Sequence, residues 1–368
     1  MAHPLDEYPI HQVPLSMRYP ATSDRDFYDR CIFQGHDRTG DIVMITGLGV
    51  YPNLGIIDAY LCVRRGDRQW VVRTSDALGD DRLTQVVGPY RIDVIDPLER
   101  VRIVCDGDGD DLAADLTFLA AFPPIDEPQH VHRAGDKLML DASRFAQTGS
   151  WAGVIRVDGQ EIAVSPDTWV ATRDRSWGIR PVGEQPPPGR PPRDEGGGFW
   201  WVWAPLRFDD FALMVIAQEQ ADGHRILNHA VRIWPKEAGR SPEQLGWPEF
   251  DIRYKPGTRY PEHASAQLAT RGKPLTLDVQ VLGAMVLTVG CGYNGDPDWG
   301  HGLWKGEGWV ERTVYDYGDP TVAGRVPFSV VDHVARATLD GAEGWGIFEH
   351  ASIGRHEPSG MADFTSVG

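Results

Sequence analysis

Short stretches of alternating apolar and polar residues, closed by Gly, Pro, Asn or Asp, recur along the whole chain. Few windows carry the helical period of about 3.6 residues, so the pattern predicts β structure. In the first half, strands are expected over 41–46, 59–64, 69–73, 91–95 and 101–105. A hairpin over 153–164 turns at Asp158-Gly159, and the sheet continues to about Val170. In the second half, 199–206 and 211–218 form a hairpin around Asp209-Asp210, and 225–234 follows the Asp222-Gly223 turn. Further strands are expected over 275–289, 308–317 and 345–353.

Short strands separated by turns describe a sandwich or barrel, and 368 residues exceed what one hydrophobic core usually serves. The break falls in Val182 to Gly198, VGEQPPPGRPPRDEGGG, whose prolines cannot donate to a ladder. The expected division is an N-terminal domain over 1–185, a Pro/Gly-rich linker or loop over 186–198 and a C-terminal domain over 199–368. No repeat of about 20 to 50 residues suggests a solenoid or propeller. Eleven of the 13 tryptophans lie from Trp169 onward, so an aromatic-walled ligand site is expected in the second half or at the junction.

Charge narrows the partners. A net charge of −17 repels phosphate backbones and anionic lipid headgroups, so neither nucleic acid nor a membrane surface is expected, and an apolar small molecule fits better. The four cysteines, Cys31, Cys62, Cys105 and Cys291, are far apart and are expected to be reduced. The opening Met-Ala-His-Pro-Leu-Asp-Glu has neither a basic n-region nor an apolar h-region, and no stretch reaches the roughly 18 apolar residues of a membrane span. A cytoplasmic location is therefore expected, with a homodimer left open.

The motif of greatest interest is Asp174-Arg175-Ser176-Trp177-Gly178-Ile179-Arg180, followed by the aromatic run FWWVWAPLRF over 199–208. It resembles the D-x-S-W-G-x-R signature of the hydroxyneurosporene synthase family, the carotenoid 1,2-hydratases and their AttH-like relatives. YKPGTRYP over 254–261 and GEGWVERTVYDY over 306–317 are similar in kind and order to later pieces of that family. The resemblance implies an all-β fold of two tandem lipocalin-like antiparallel barrels or sandwiches. For the characterised hydratases it also implies addition of water to an isoprenoid double bond without a metal or nucleotide. Fungal relatives act as pericyclases, and others bind lipids with no known reaction. Where the hydratases carry His-x-Trp, this chain has Trp201-Val202-Trp203.

Hydration of an unactivated alkene needs an acid to protonate carbon, a surface that tolerates the cation, and a base for the water proton. A carboxyl desolvated beside Trp is such an acid, and aromatic faces stabilise a cation. Asp174, Glu311 and His301 are thus the catalytic candidates, with Trp177, Arg180, Trp201, Trp203, Trp309 and His350 as substrate-binding candidates. On a strand, Asp174, Ser176, Gly178 and Arg180 share one face and Trp177 takes the other, an arrangement that also suits a purely structural Asp174–Arg180 pair. Alternation likewise groups Trp309, Glu311 and Thr313.

His130 and His132 share a strand face but lack a third ligand, and 106–117 departs from a calcium loop at Asp111 and Thr117, so no metal is expected. Dinucleotide, P-loop, G-x-S-x-G and H-E-x-x-H motifs are absent, and no other cofactor is expected. The function these features predict is a cofactor-independent lyase or isomerase of hydratase or dehydratase type, acting on a hydrophobic isoprenoid or aromatic alkene. A non-catalytic lipid or terpenoid carrier and a pericyclase-like enzyme are the alternatives.

Overall fold

Strands form wherever the alternation predicts them, and in several places where it does not. The computed structural model describes residues 4–134, 136–185, 197–270 and 272–368, so the linker expected over 186–198 lies, up to residue 196, outside the described residues. The predicted strands appear as Ile42–Tyr51, Ile56–Arg65, Arg68–Ala77, Tyr90–Asp96 and Arg100–Cys105 in the first half. In the second half they appear as Gly198–Phe208, Ala212–Glu219, Arg225–Ile233, Leu275–Val286, Trp309–Asp316 and Ala342–Gly354. The Lys137–Val157 and Gln160–Val164 strands meet at Asp158-Gly159, whose φ of 54° and 69° suit a hairpin turn with two left-handed residues. The sheet does not stop at Val170: the Val170–Ile179 strand carries the motif through the middle of it up to Ile179, and Arg180 follows at its end.

Among the described residues the strands make two curled antiparallel sheets, of fourteen and nine strands, each a half-barrel in the tandem lipocalin-like manner. In the first, Val170–Ile179 lies between Phe27–His36 and Lys137–Val157. In the second, Gly198–Phe208 lies between Ala212–Glu219 and Ala342–Gly354. One strand crosses over: Trp309–Asp316, from the second half of the sequence, pairs with Arg68–Ala77 and ends the main path of the first sheet.

Both faces of the central strands are buried, so alternate residues serve different cores. On Phe27–His36, Cys31 and Phe33 enter the core of the first sheet, while Ile32 packs with Met285, Leu287 and Val334 of the other half. On Gly198–Phe208, Trp200, Val202 and Ala204 fill the second core, while Trp201 and Trp203 pack with Phe122, Ile125 and Ala146 of the first half. The two half-barrels are thus joined by apolar layers lying outside either core.

Gly178 fixes how closely the motif strand approaches its neighbour. Its φ is +140°, and a Cβ there would sit 2.1 Å from the Asp141 carbonyl oxygen. Both the backbone conformation and the close approach exclude a side chain. Gly178→Ala is expected to cost about 1–3 kcal/mol, read as a lower denaturant midpoint. Gly79→Ala, at a site with open space around it, should stay within about 0.5 kcal/mol of the parent.

Candidate active site

Where the two sheets face each other they enclose a cavity of about 260 Å³. Tyr28, Arg30, Ile32 and Gln34 enter it from Phe27–His36, the alternation sending every second residue the same way. Asp174, Ser176 and Arg180 enter from the neighbouring motif strand and its end, and Ala142 and Arg144 from Lys137–Val157. The second half supplies Phe199, Trp201, Gln218, Tyr293 and Glu349. The walls are aromatic, but the charge is concentrated and of both signs.

Trp201 organises one wall. His130 stacks on it at 5.7 Å between ring centres, Phe199 at 6.2 Å, and its indole N–H donates to Glu349 Oε1. The Arg144 guanidinium lies 5.5 Å from the same ring and pairs with Glu127, Nε to Oε2, at 2.6 Å. Trp203 donates its N–H to the other Glu127 oxygen at 2.7 Å. Burial pushes the Glu127 carboxyl up, with Arg144 and then Trp203 pulling it back. His130 Nε2 hydrogen-bonds Gln218 Oε1. Burial first and Arg144 second hold this imidazole down at about 3, so it is neutral near pH 7.

Asp174 is the unusual acid. It is 8% exposed, and its Oδ1 has no hydrogen-bond partner. Burial raises its carboxyl to about 7, Arg144 opposing, Glu127 adding to the rise and Arg30 opposing again. A carboxyl so placed holds and releases a proton near neutrality. Asp332 stands beside Glu349 on the adjacent strand and receives the Gln34 amide at 3.3 Å. Burial and the Glu349 charge raise Asp332 well above the usual range.

Of the residues predicted from sequence, the fold gathers Asp174, Arg180 and Trp201 at this cavity. Trp203 sits one layer back on Glu127. Trp177 points the other way and is 42% exposed, as alternation along its strand requires. Glu311 and Trp309 travel with the crossing strand to the far edge of the first sheet. There Glu311 pairs with Arg73, and Trp309 stacks on Trp299 at 5.3 Å. His301 lies behind the cavity wall, edge-on to Tyr293 at 5.0 Å. Burial, then Arg30 and Arg180, keep it well below the usual imidazole range.

His350 serves a separate cavity of about 310 Å³ in the second half. Its Nδ1–H donates to the Trp201 carbonyl at 2.7 Å, and Nε2 lies 3.2 Å from the Tyr254 hydroxyl. Sequence reasoning passed over Arg30, Arg144, Tyr293 and Glu349 and considered His130 only as a metal ligand. The available signal was the Tyr28, Arg30, Ile32, Gln34 alternation, opposite an apolar Cys31, Phe33 face. Among the described residues no three His, Cys, Asp or Glu side chains are grouped to hold a metal ion, and no helix is long and apolar enough to cross a membrane.

Two half-barrels with a charged, aromatic-walled cavity lined by residues of both halves define a tandem lipocalin-like protein. The chain belongs to the family described as "Family of unknown function (DUF8625)", which matches residues 2–362. No curated protein matches it. Its fold is similar to that of a Nitrosomonas europaea protein described as an AttH, with a TM-score of 0.52 and 14% identity over 94% of this chain and 98% of that one. It is also similar to kievitone hydratase from Nectria haematococca, with a TM-score of 0.51 and 12% identity over 88% of each chain. The AttH-like resemblance drawn from residues 174–180 is therefore borne out at the level of fold.

The Asp174 environment has a thermodynamic signature. Its native carboxyl titrates near 7 against a reference value of 3.8, so between those pH values the folded state binds more protons than the unfolded state. The parent accordingly loses stability through this group as pH rises from about 4 to about 7, whereas Asp174→Asn cannot. Denaturation curves at several pH values should show the stability difference moving in favour of the variant across that window, by at most about 4 kcal/mol, and flat above it.

Proposed function

We propose that this protein is a hydratase-type lyase, adding water to or removing it from a carbon–carbon double bond of a hydrophobic small molecule held between the two sheets. The observation that carries this reading is Asp174: a buried carboxyl titrating near neutrality, with an unpartnered oxygen, at an aromatic-walled cavity. Asp174 is the proton donor. Glu349, held by the Trp201 indole and lining the same cavity, accepts the proton lost by water. Neutral His130 orients that water: with Nε2 donating to Gln218, its Nδ1 lone pair is the acceptor. Trp201 and Phe199 pack against the substrate body. That kievitone hydratase is built on the same fold supports the scaffold's suitability for such chemistry, while the assignment itself rests on these side chains.

The reading is tested by incubating the protein with a panel of enones, aromatic alkenes and isoprenoid alkenes in oxygen-labelled water and following the products by mass spectrometry. Solvent oxygen should enter at least one of them. Asp174→Asn should lower kcat by roughly 100- to 10,000-fold with little change in KM, whereas Trp177→Ala, on the outer face, should retain turnover. Labelled product formed undiminished by a folded Asp174→Asn variant would remove Asp174 from the chemistry. Recovery of every bound ligand unchanged would define a carrier, and products of unaltered mass an isomerase.

A further inference from the structure

Among the described residues, three arginines reach the cavity and one of them has a carboxylate in ion-pair contact. Arg144 pairs with Glu127. Arg30 and Arg180 form no ion pair among the described residues. They come from the two adjacent central strands, which run antiparallel with Tyr28 opposite Gly178 and Arg30 opposite Ser176. Both guanidiniums lie against the same two rings: Arg30 at 5.3 Å from Tyr28 and 5.5 Å from Tyr293, Arg180 at 5.9 Å and 5.8 Å. Arg30 is only 3% exposed, and its Nε has no partner. Burial and the neighbouring Arg30 charge both work against the Arg180 cation. Among the described residues no carboxylate is in ion-pair contact with either guanidinium, Asp58 and Asp174 acting on Arg30 at longer range. A buried cation beside a partly buried one is costly, since each loses hydration and repels the other. An anion seated between them removes both costs.

We propose that this end of the cavity is an oxyanion pocket, and that the ligand carries a carboxylate, phenolate or enolate oxygen bound between Arg30 and Arg180 while its apolar body runs toward Trp201. The inference rests on the reading of this cavity as the substrate site, and it changes the expected chemistry. A carbocation beside two guanidiniums is repelled, whereas negative charge developing on an oxygen there is stabilised. The reacting double bond is therefore conjugated to a carbonyl group whose oxygen sits there, as in an α,β-unsaturated ketone or carboxylate, and the enolate forms only as water adds. Water oxygen bonds to the β carbon, and the π pair moves through the α carbon onto the oxygen between the guanidiniums. The α carbon then takes the Asp174 proton as the carbonyl re-forms, and the proton lost by water passes to Glu349. Isolated isoprenoid alkenes lack the group this pocket selects.

Three probes of matched shape test the pocket by tryptophan quenching or calorimetry: 2-naphthoate, 2-naphthol and neutral 2-naphthamide. Naphthoate should bind about tenfold or more tighter than naphthamide. The ratio should fall toward one in Arg30→Gln and in Arg180→Gln, with naphthamide affinity little changed, and survive in part in Arg180→Lys. Naphthol bound as its anion at neutral pH, seen in its absorbance, would mark the pocket as one for phenolates or enolates, whereas naphthoate preference alone would mark it as one for carboxylates. Naphthamide binding as tightly as naphthoate, no binding of either acidic probe, or an unchanged ratio in folded glutamine variants overturns the inference. If the glutamine variants do not fold, the parent ratio and Arg180→Lys decide it. Solvent-oxygen incorporation without naphthoate preference defeats this inference alone, and preference without any hydration defeats the lyase reading alone.

Discussion

A strand buried on both faces must commit alternate residues to two environments, and this protein depends on that constraint. The central strands of each half-barrel feed one face into their own core and the other into the contact with the opposite half. The contact is sealed by Ile32, Met285 and Leu287 on one side and by Trp201, Trp203 and Met214 on another. Between these seals the same outward face carries Tyr28, Arg30, Asp174 and Arg180. The cavity is therefore a polar interruption in an apolar joint, and its shape is set by the packing of both halves.

That origin explains its electrostatics. A carboxyl inside an apolar joint loses hydration, and the few charges nearby decide what it does instead. Glu127 has Arg144 and the Trp203 indole and serves as an anchor. Asp174 retains an unpartnered oxygen, and its burial raises the carboxyl to about 7. Two carboxylates of similar burial thus take different roles because of their neighbours. The same contrast separates Arg144, which is paired, from Arg30 and Arg180, which form no ion pair among the described residues.

Much of the fold was legible from the 2-residue period, because most strands have one face apolar enough to register. The missed strands show where that signal fails. Phe27–His36 places Tyr28, Arg30 and Gln34 in the cavity, so a polar cavity-lining face breaks the apolar pattern. Within the motif, alternation correctly put Asp174 and Arg180 on one face and Trp177 on the other. Glu311 could not be placed from sequence, since nothing local reveals that its strand leaves the half it belongs to in the chain. His301 and His350 lie near aromatics, but behind the wall and in a second cavity respectively, distinctions that depend on tertiary packing alone. The positive end of the site was missed for a related reason: Arg30 and Arg180 are 150 positions apart and meet only through strand pairing.

The crossing strand has a consequence for biosynthesis. Residues 309–316 complete the edge formed by Arg68–Ala77, so during translation that edge waits for more than two hundred further residues before its partner is made. An uncovered edge strand is a template for pairing with another chain. The first half thus leaves the ribosome with that edge of its sheet unpaired until the second half is made. Cleavage between the halves would leave two fragments, with the edge of one covered only by a strand belonging to the other.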